Sequence, residues 1–272
     1  MLYGAQLAQG LGELSTSTVT GTEIGLQVLS VPQVVILPTN IAAAWSDLDL
    51  DPRDVEIYLV LRESARQRLF NTVSWLGPQL LTLVEHYARE IRIDSSAIED
   101  TIDIDDLSQL TPEKAQEMSE RLRGRLFEPT RTPEQDGVLQ RLETLLALIE
   151  GWVDEVTSQV ARTWLPSHDQ LAEAVRRRRA TSGPAEVFFQ SLLGLELRPR
   201  RVRDAANLWA ALREARGTVG RDQVWNHPDL VPTTTDLDDP LGYVSGDRQE
   251  SSEGDDLDAE LEKLLRDHGH DE

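Results

Sequence analysis

The sequence predicts a mainly α-helical single domain with at most one short strand region, followed by an acidic, disordered C-terminal tail. Three observations carry that prediction. Apolar residues recur at helical spacing over long stretches, as in Val55, Leu59, Ala65, Leu69 and Phe70, and again in Leu142, Leu145, Leu146, Ile149, Trp152, Val153 and Val156. One start signal, a capping residue followed by Pro, stands at Asp51-Pro52, Thr111-Pro112 and Thr132-Pro133. The single β-branched run, Val31 to Pro38, is closed by Pro at both ends and is too isolated to imply a sheet.

In chain order, Gly4 to Gly12 carries Leu7 and Leu11 one turn apart and reads as a short helix. Ser15 to Gly25, rich in Ser, Thr and Gly, reads as a loop. Asn40 is placed to cap a short helix over Ile41 to Ser46. Asp51-Pro52 opens a longer helix that runs to about Trp75, where Gly77-Pro78 should stop it, and a second follows over Gln79 to Ile91. Ile93 to Asp106 is acidic with scattered aliphatics, and Thr111-Pro112 opens another helix. The longest helix is predicted from Thr132-Pro133 to about Trp164, and further helices over Ser167 to Arg179, Gly183 to Leu193 and Arg201 to Arg216. The folded domain is expected to cover residues 1–232 and the tail 233–272, a segment poor in apolar residues before Leu257.

Composition excludes several classes. The chain has 272 residues, no Cys and a net charge of −21. Without Cys there are no disulfides and no thiolate-held metal or haem sites, which agrees with a cytoplasmic protein. No apolar run approaches the roughly 18 residues a membrane helix needs, so no membrane association is expected. Nucleic acid is not an expected partner either, since it calls for a cationic face. From Thr233 onward fourteen acids face Arg248, Lys263 and Arg266, so about half of the excess negative charge sits in the tail. Two basic patches, Arg176 to Arg179 and Arg198 to Arg203, are candidates for intramolecular contact with that tail. There is no Walker loop, no G-x-G-x-x-G and no G-x-S-x-G elbow.

One stretch carries a chemical pattern. In a zinc-protease helix the order H-E-x-x-H puts two imidazoles one turn apart on the metal, and the Glu activates water. Here those five positions read Arg62-Glu63-Ser64-Ala65-Arg66. The Glu is present, but both His positions hold Arg, which cannot lose its proton to bind a metal. Arg62 and Arg66 share a helix face, as do Glu143, Glu150 and Asp154 on the long helix, beside its apolar stripe. Carboxylates so placed serve either as metal ligands or in a structural ion-pair layer.

The run Tyr58 to Phe70, then Trp75-Leu76, then Arg141 to Glu155, resembles the type 2 zincin-like metallopeptidases, also known as the DUF2342 hydrolase family and common in actinobacteria. Gly183 to Glu186, Gly194 to Arg201, Asp204 to Trp209 and Trp225 to Leu230 resemble its C-terminal half. The resemblance implies a zincin-like helical domain. It places Glu63 at the general-base position, Arg62 and Arg66 at the two His ligand positions and Glu150 at the third ligand, with Glu143 and Asp154 in support. Zinc is the cofactor of active relatives. Two guanidiniums beside the metal position lead to the expectation that no cofactor is bound, that the arginines pair with the carboxylates, and that the chain acts as a pseudoenzyme or scaffold for an unknown protein or peptide. The alternative is an active metal-dependent hydrolase with non-standard ligands.

The five His residues offer no obvious rescue. His86 has Glu85 beside it and Glu90 one turn on, His168 precedes or caps a helix, and His227 sits in a turn where aromatic packing is expected. His268 and His270, with Asp267 and Asp271, suit only weak adventitious cations.

Overall fold

Two long helices cross one another and position everything else. A computed structural model of the chain describes residues 2–23, 25–27, 33–89, 132–180 and 201–246. Helix α1 spans Leu2–Ser17, α2 Pro38–Ala44, α3 Pro52–Thr72, α4 Leu76–Arg89, α5 Pro133–Trp164, α6 His168–Ala180, α7 Val202–Asp222, α8 Thr234–Asp238 and α9 Pro240–Ser245. Two short 3₁₀ turns, Gln223–Asn226 and Pro228–Leu230, join α7 to α8. The described residues contain no sheet, so the fold is all-α. The expected strand is reduced to one antiparallel bridge between Thr20 and Ile36, with Gly21 N donating to Val35 O at 3.0 Å and Leu37 N to Val19 O at 2.9 Å.

The two crossing helices start where their caps predict. At α3 the Asp51 carboxylate accepts from Arg53 N at 2.8 Å. At α5 Thr132 and Gln135 form a reciprocal capping box, at 3.2 and 3.0 Å. Helix α5 ends at Trp164, as expected.

Other boundaries differ for identifiable reasons. Helix α1 runs on to Ser17, because Ser15, Thr16, Ser17 and Thr18 turn their hydroxyls back onto carbonyls three and four residues earlier instead of leaving the helix. Asn40 is not a cap. It lies inside α2, and its amide donates to Ser15 O and Thr18 O, at 2.8 and 2.6 Å, fastening α2 to the end of α1. Gly77-Pro78 does not stop α3, which ends at Thr72. Both residues fall in the first turn of α4, where proline's missing N–H costs nothing. Helix α7 passes Arg216, with Gly217 at φ 72° absorbing a kink.

The folded body also extends beyond 232. Thr233 and Asp236 form a second capping box, Asp239 caps α9, and Leu237 and Tyr243 are buried in the main core. The segment expected to begin the tail is therefore packed as far as Gly246. The expected features at Ile93 to Asp106, Thr111, Gly183 to Leu193 and 247–272 lie outside the described residues.

Two apolar clusters make up the core. The larger joins the C-terminal half of α3, α4, most of α5, α7 and Leu237 and Tyr243, and includes Trp209 stacked on Trp225 at 5.1 Å. The smaller joins Val19, Ile41, Trp45, the start of α3, the end of α5 and α6. Along α3 the smaller cluster ends at Leu59 and the larger begins at Ala65. Along α5 the larger ends at Val153 and the smaller begins at Ala161. Between the two lies a charged layer.

Candidate functional site

The charged layer forms where α3 and α5 cross in opposite directions. Arg62 reaches Asp154 and Glu150, while Arg66, one turn later on α3, reaches Glu150. In detail, Arg62 Nη2 donates to Glu150 Oε2 at 3.1 Å and its Nη1 to Asp154 Oδ1. Arg66 donates through Nε and Nη2 to Glu150 Oε1, at 2.9 and 2.6 Å, and through Nη1 to Glu63 Oε2 at 3.2 Å. Both arginines are 3% exposed, although a lone buried guanidinium would be very costly, so the carboxylates are what permit them there.

Glu63 is fully buried, and both of its oxygens are engaged. Oε2 accepts from the Thr22 hydroxyl at 2.7 Å and from Arg66, and Oε1 accepts from Gln67 Nε2 at 3.1 Å. Thr22 lies on the segment linking α1 to α2, which closes the layer from a third side. A fourth element adds Arg179, at the end of α6. Its Nη2 donates to Glu150 Oε2, its Nη1 lies 3.7 Å from Asp154 Oδ1, and its side chain is 27% exposed.

The electrostatics follow from this crowding. Burial alone would raise the Glu150 carboxyl, but the guanidiniums of Arg179, Arg66 and Arg62 outweigh it and hold the pKa down at about 2. Burial likewise pulls Arg62 down, yet Asp154, Tyr58 and Glu150 more than offset it, and its pKa ends above the ordinary value. Arg179 is lowered, by burial and by repulsion from Arg62 and Arg66, against the attraction of Glu150 and Asp154.

Of the residues expected at the site, Arg62, Glu63, Arg66, Glu150 and Asp154 are brought together. Glu143 lies two helical turns, about 10 Å, along the axis from Glu150. Sequence reasoning missed Thr22, Gln67 and Arg179. Gln67 was findable, being one turn after Glu63 on the same face. Arg179 was hidden in a run that reads as a solvated helix end, whereas Arg178 and Arg179 both turn inward. Arg178 donates to Glu23 Oε1 at 3.2 Å and lies over the Trp45 ring. In the second basic patch, Arg201 pairs with Asp204 at 3.0 Å and Asp238 at 2.7 Å; Arg198 and Arg200 lie outside the described residues.

The histidines stand apart from this cluster. His86 faces Glu134 at 3.3 Å on the surface. His168 is buried as the first residue of α6, with Nδ1 3.1 Å from Asp169. His227 does not pack on aromatics; it is exposed, and its Nδ1 accepts from Asp229 N at 3.2 Å, capping a turn, while Trp225 makes the aromatic contacts.

A family model described as zincin-like metallopeptidase matches residues 1–244. Among solved structures, that of a protein described as a "putative hydrolase with a novel fold", from Chloroflexus aurantiacus, is similar at a TM-score of 0.64 and 22% identity, covering 92% of this chain and 70% of that one. At that identity the likeness is one of fold. No curated protein matches. The family match corrects the expectation that no cofactor is used, because metallopeptidases of zincin type are zinc proteins and zinc is the cofactor the match implies. The residues at Arg62 to Arg66 do not themselves fit that ion. Guanidinium groups cannot be ligands, and the Glu150 carboxylate between them already accepts four hydrogen bonds from arginine. Among the described residues no group of three or more His, Asp or Glu is arranged to hold a metal.

Proposed function

Because the chain belongs to the zincin-like metallopeptidase family, we propose that it is a pseudoenzyme at the motif helix, using the family's fold to bind a protein or peptide while an ion-pair layer takes the place of the metal centre. The observation that carries this reading is Glu63. A general base must reach a water and accept its proton. Glu63 is sealed from solvent, and three donors already occupy its two oxygens. A cytoplasmic location is part of the same proposal. It is supported by the lack of Cys, and no described helix is long and apolar enough to cross a membrane.

The rival is a metal-dependent hydrolase with non-standard ligands, which the family name favours. The two separate in one comparison of the unaltered chain with Glu63→Gln, assayed for cleavage of a mixed peptide pool and for bound zinc. The pseudoenzyme reading expects Glu63→Gln to leave both zinc content and any peptide turnover where they were. Chelator-sensitive cleavage that vanishes with Glu63→Gln would overturn it.

A further inference from the structure

Beside the charged layer, a cleft of about 230 Å³ opens between α5, α6 and α7, with Tyr58 of α3 also on its lining. Ser158 and Arg162 line it from α5, one turn apart. His168, Asp169, Ala172 and Arg176 come from α6, and Ala206, Asn207 and Ala210 from α7. The three alanines leave the space open where larger side chains would close it. Its volume equals that of about seven waters, enough for the end of a short peptide.

We propose that this cleft binds the C-terminal carboxylate of a peptide, with Arg162 and Arg176 as its recognition pair and Ser158 and Asn207 as partners for the last amide. The assignment rests on the peptide-binding reading above and identifies which end of the peptide is held. It follows from which polar groups already have partners. Two of the three carboxylates on the lining are paired with arginine, Asp154 with Arg62 and Glu155 with Arg213 at 2.6 Å, while Asp169 is exposed to solvent with Oδ1 3.1 Å from His168 Nδ1. The donors are less occupied. Arg176, on the lining, uses its Nε on the Ala172 carbonyl at 3.1 Å and lies 3.7 Å from Glu173, which leaves its two amino groups without a partner among the described residues. Arg162, Ser158 and Asn207 have no hydrogen-bond or ion-pair partner among the described residues. With donors in excess, the cleft suits a ligand that brings acceptors, and a planar carboxylate suits a guanidinium pair. The alanine walls and the neutral amide partners favour a carboxylate attached to a small, amide-bearing chain over a bare ion.

The test is calorimetric titration of the full chain with acetyl-Ala-Ala-Ala as the free acid, as its C-terminal amide, and with acetate. The free acid should bind, the amide at least tenfold more weakly, and acetate should not displace the acid at equal concentration. Arg162→Ala and Arg176→Ala should each weaken the acid at least fivefold and Arg162→Lys by less, while Arg177→Ala, on the same helix but off the lining, should change nothing. Acid and amide binding alike, or neither binding, would overturn the proposal without needing any variant. Acetate competing as well as the peptide would reduce the cleft to a bare anion site and overturn the peptide assignment. Peptide recovered cut, with the cut lost in Glu63→Gln, would sink the pseudoenzyme reading while leaving this site in place.

Discussion

Replacing Glu150 with Gln keeps the side chain's volume and removes the charge on which Arg62, Arg66 and Arg179 converge. Two independent arguments size the effect. Breaking a buried ion pair by removing one partner costs about 3–5 kcal/mol, because the other charge is left buried. Proton linkage gives a similar figure. The carboxyl is lowered from 4.5 to about 2 on folding, a shift worth about 3 kcal/mol. The sign is that of a depressed acid. Its contribution is fully present above the unfolded pKa of 4.5 and is lost as pH falls through 4.5 toward the folded value near 2. Of the 3 kcal/mol, about 2 should be gone by pH 3. The assay is urea unfolding at pH 7 and pH 3, followed by the fluorescence of the buried Trp209 and Trp225, for the unaltered chain and Glu150→Gln. The gap between the two should be about 3 kcal/mol at pH 7 and shrink by roughly two thirds at pH 3. A gap below about 1 kcal/mol at pH 7, the range of an exposed pair, or one that does not change with pH, would refute the account of the layer.

Three further outcomes are expected. Arg62→His together with Arg66→His places two imidazoles one turn apart beside Glu63 and opposite Glu150, so metal analysis after dialysis should find one more zinc per chain than in the unaltered protein; no gain would mean Glu150 is not placed to complete a metal site. Gly151→Ala sets a methyl 2.6 Å from Ala206 N and 2.7 Å from Ala205 Cβ, where the backbone of α7 crosses α5. Overpacking against backbone should cost about 1–3 kcal/mol or more in urea unfolding, and a neutral result would contradict the close crossing. Ending the chain after Pro232 removes Leu237, Tyr243 and the Asp238 partner of Arg201. Two buried side chains at about 1.5–3 kcal/mol each predict a loss of at least about 3 kcal/mol, whereas a loss under about 1 would put the domain boundary back at 232.

The sequence made the scaffold legible wherever a local signal decided the outcome. Asp51-Pro52 and Thr132-Pro133 marked helix starts because a cap and a fixed φ act within a few residues. The same grammar was present at Thr233 to Asp236 and at Asp239-Pro240 but was overridden by the acidic composition around it. Composition describes a whole segment, whereas Leu237 and Tyr243 needed only two apolar side chains to dock there. The helical faces of Arg62, Arg66, Glu150 and Asp154 were readable from spacing alone. Thr22 was not, since only the path of a loop across forty-one residues of chain places its hydroxyl on Glu63. Arg179 was misread because a run of four arginines gives no hint of which ones turn inward, and that depends on how α6 sits against α5.

Charge balance explains why carboxylates stand opposite Arg62 and Arg66 at this crossing. A zinc ion held beside two carboxylates is a neutral assembly, with two positive charges against two negative. Arg62 and Arg66 bring the same two positive charges to Glu63 and Glu150, and Arg179 with Asp154 adds a third neutral pair. Replacing Arg62 and Arg66 with apolar residues would leave Glu63 buried with no cation and Glu150 with Arg179 alone, a costly arrangement for a core. Arginine also supplies what an ion cannot, because its five donors are fixed in a plane and can join several oxygens across a helix crossing. The crossing angle of α3 and α5 is thereby tied by directional bonds between the two apolar clusters. Loss of any one member should loosen the crossing itself, and with it the wall of the adjoining cleft, where Tyr58 and Asp154 belong to both.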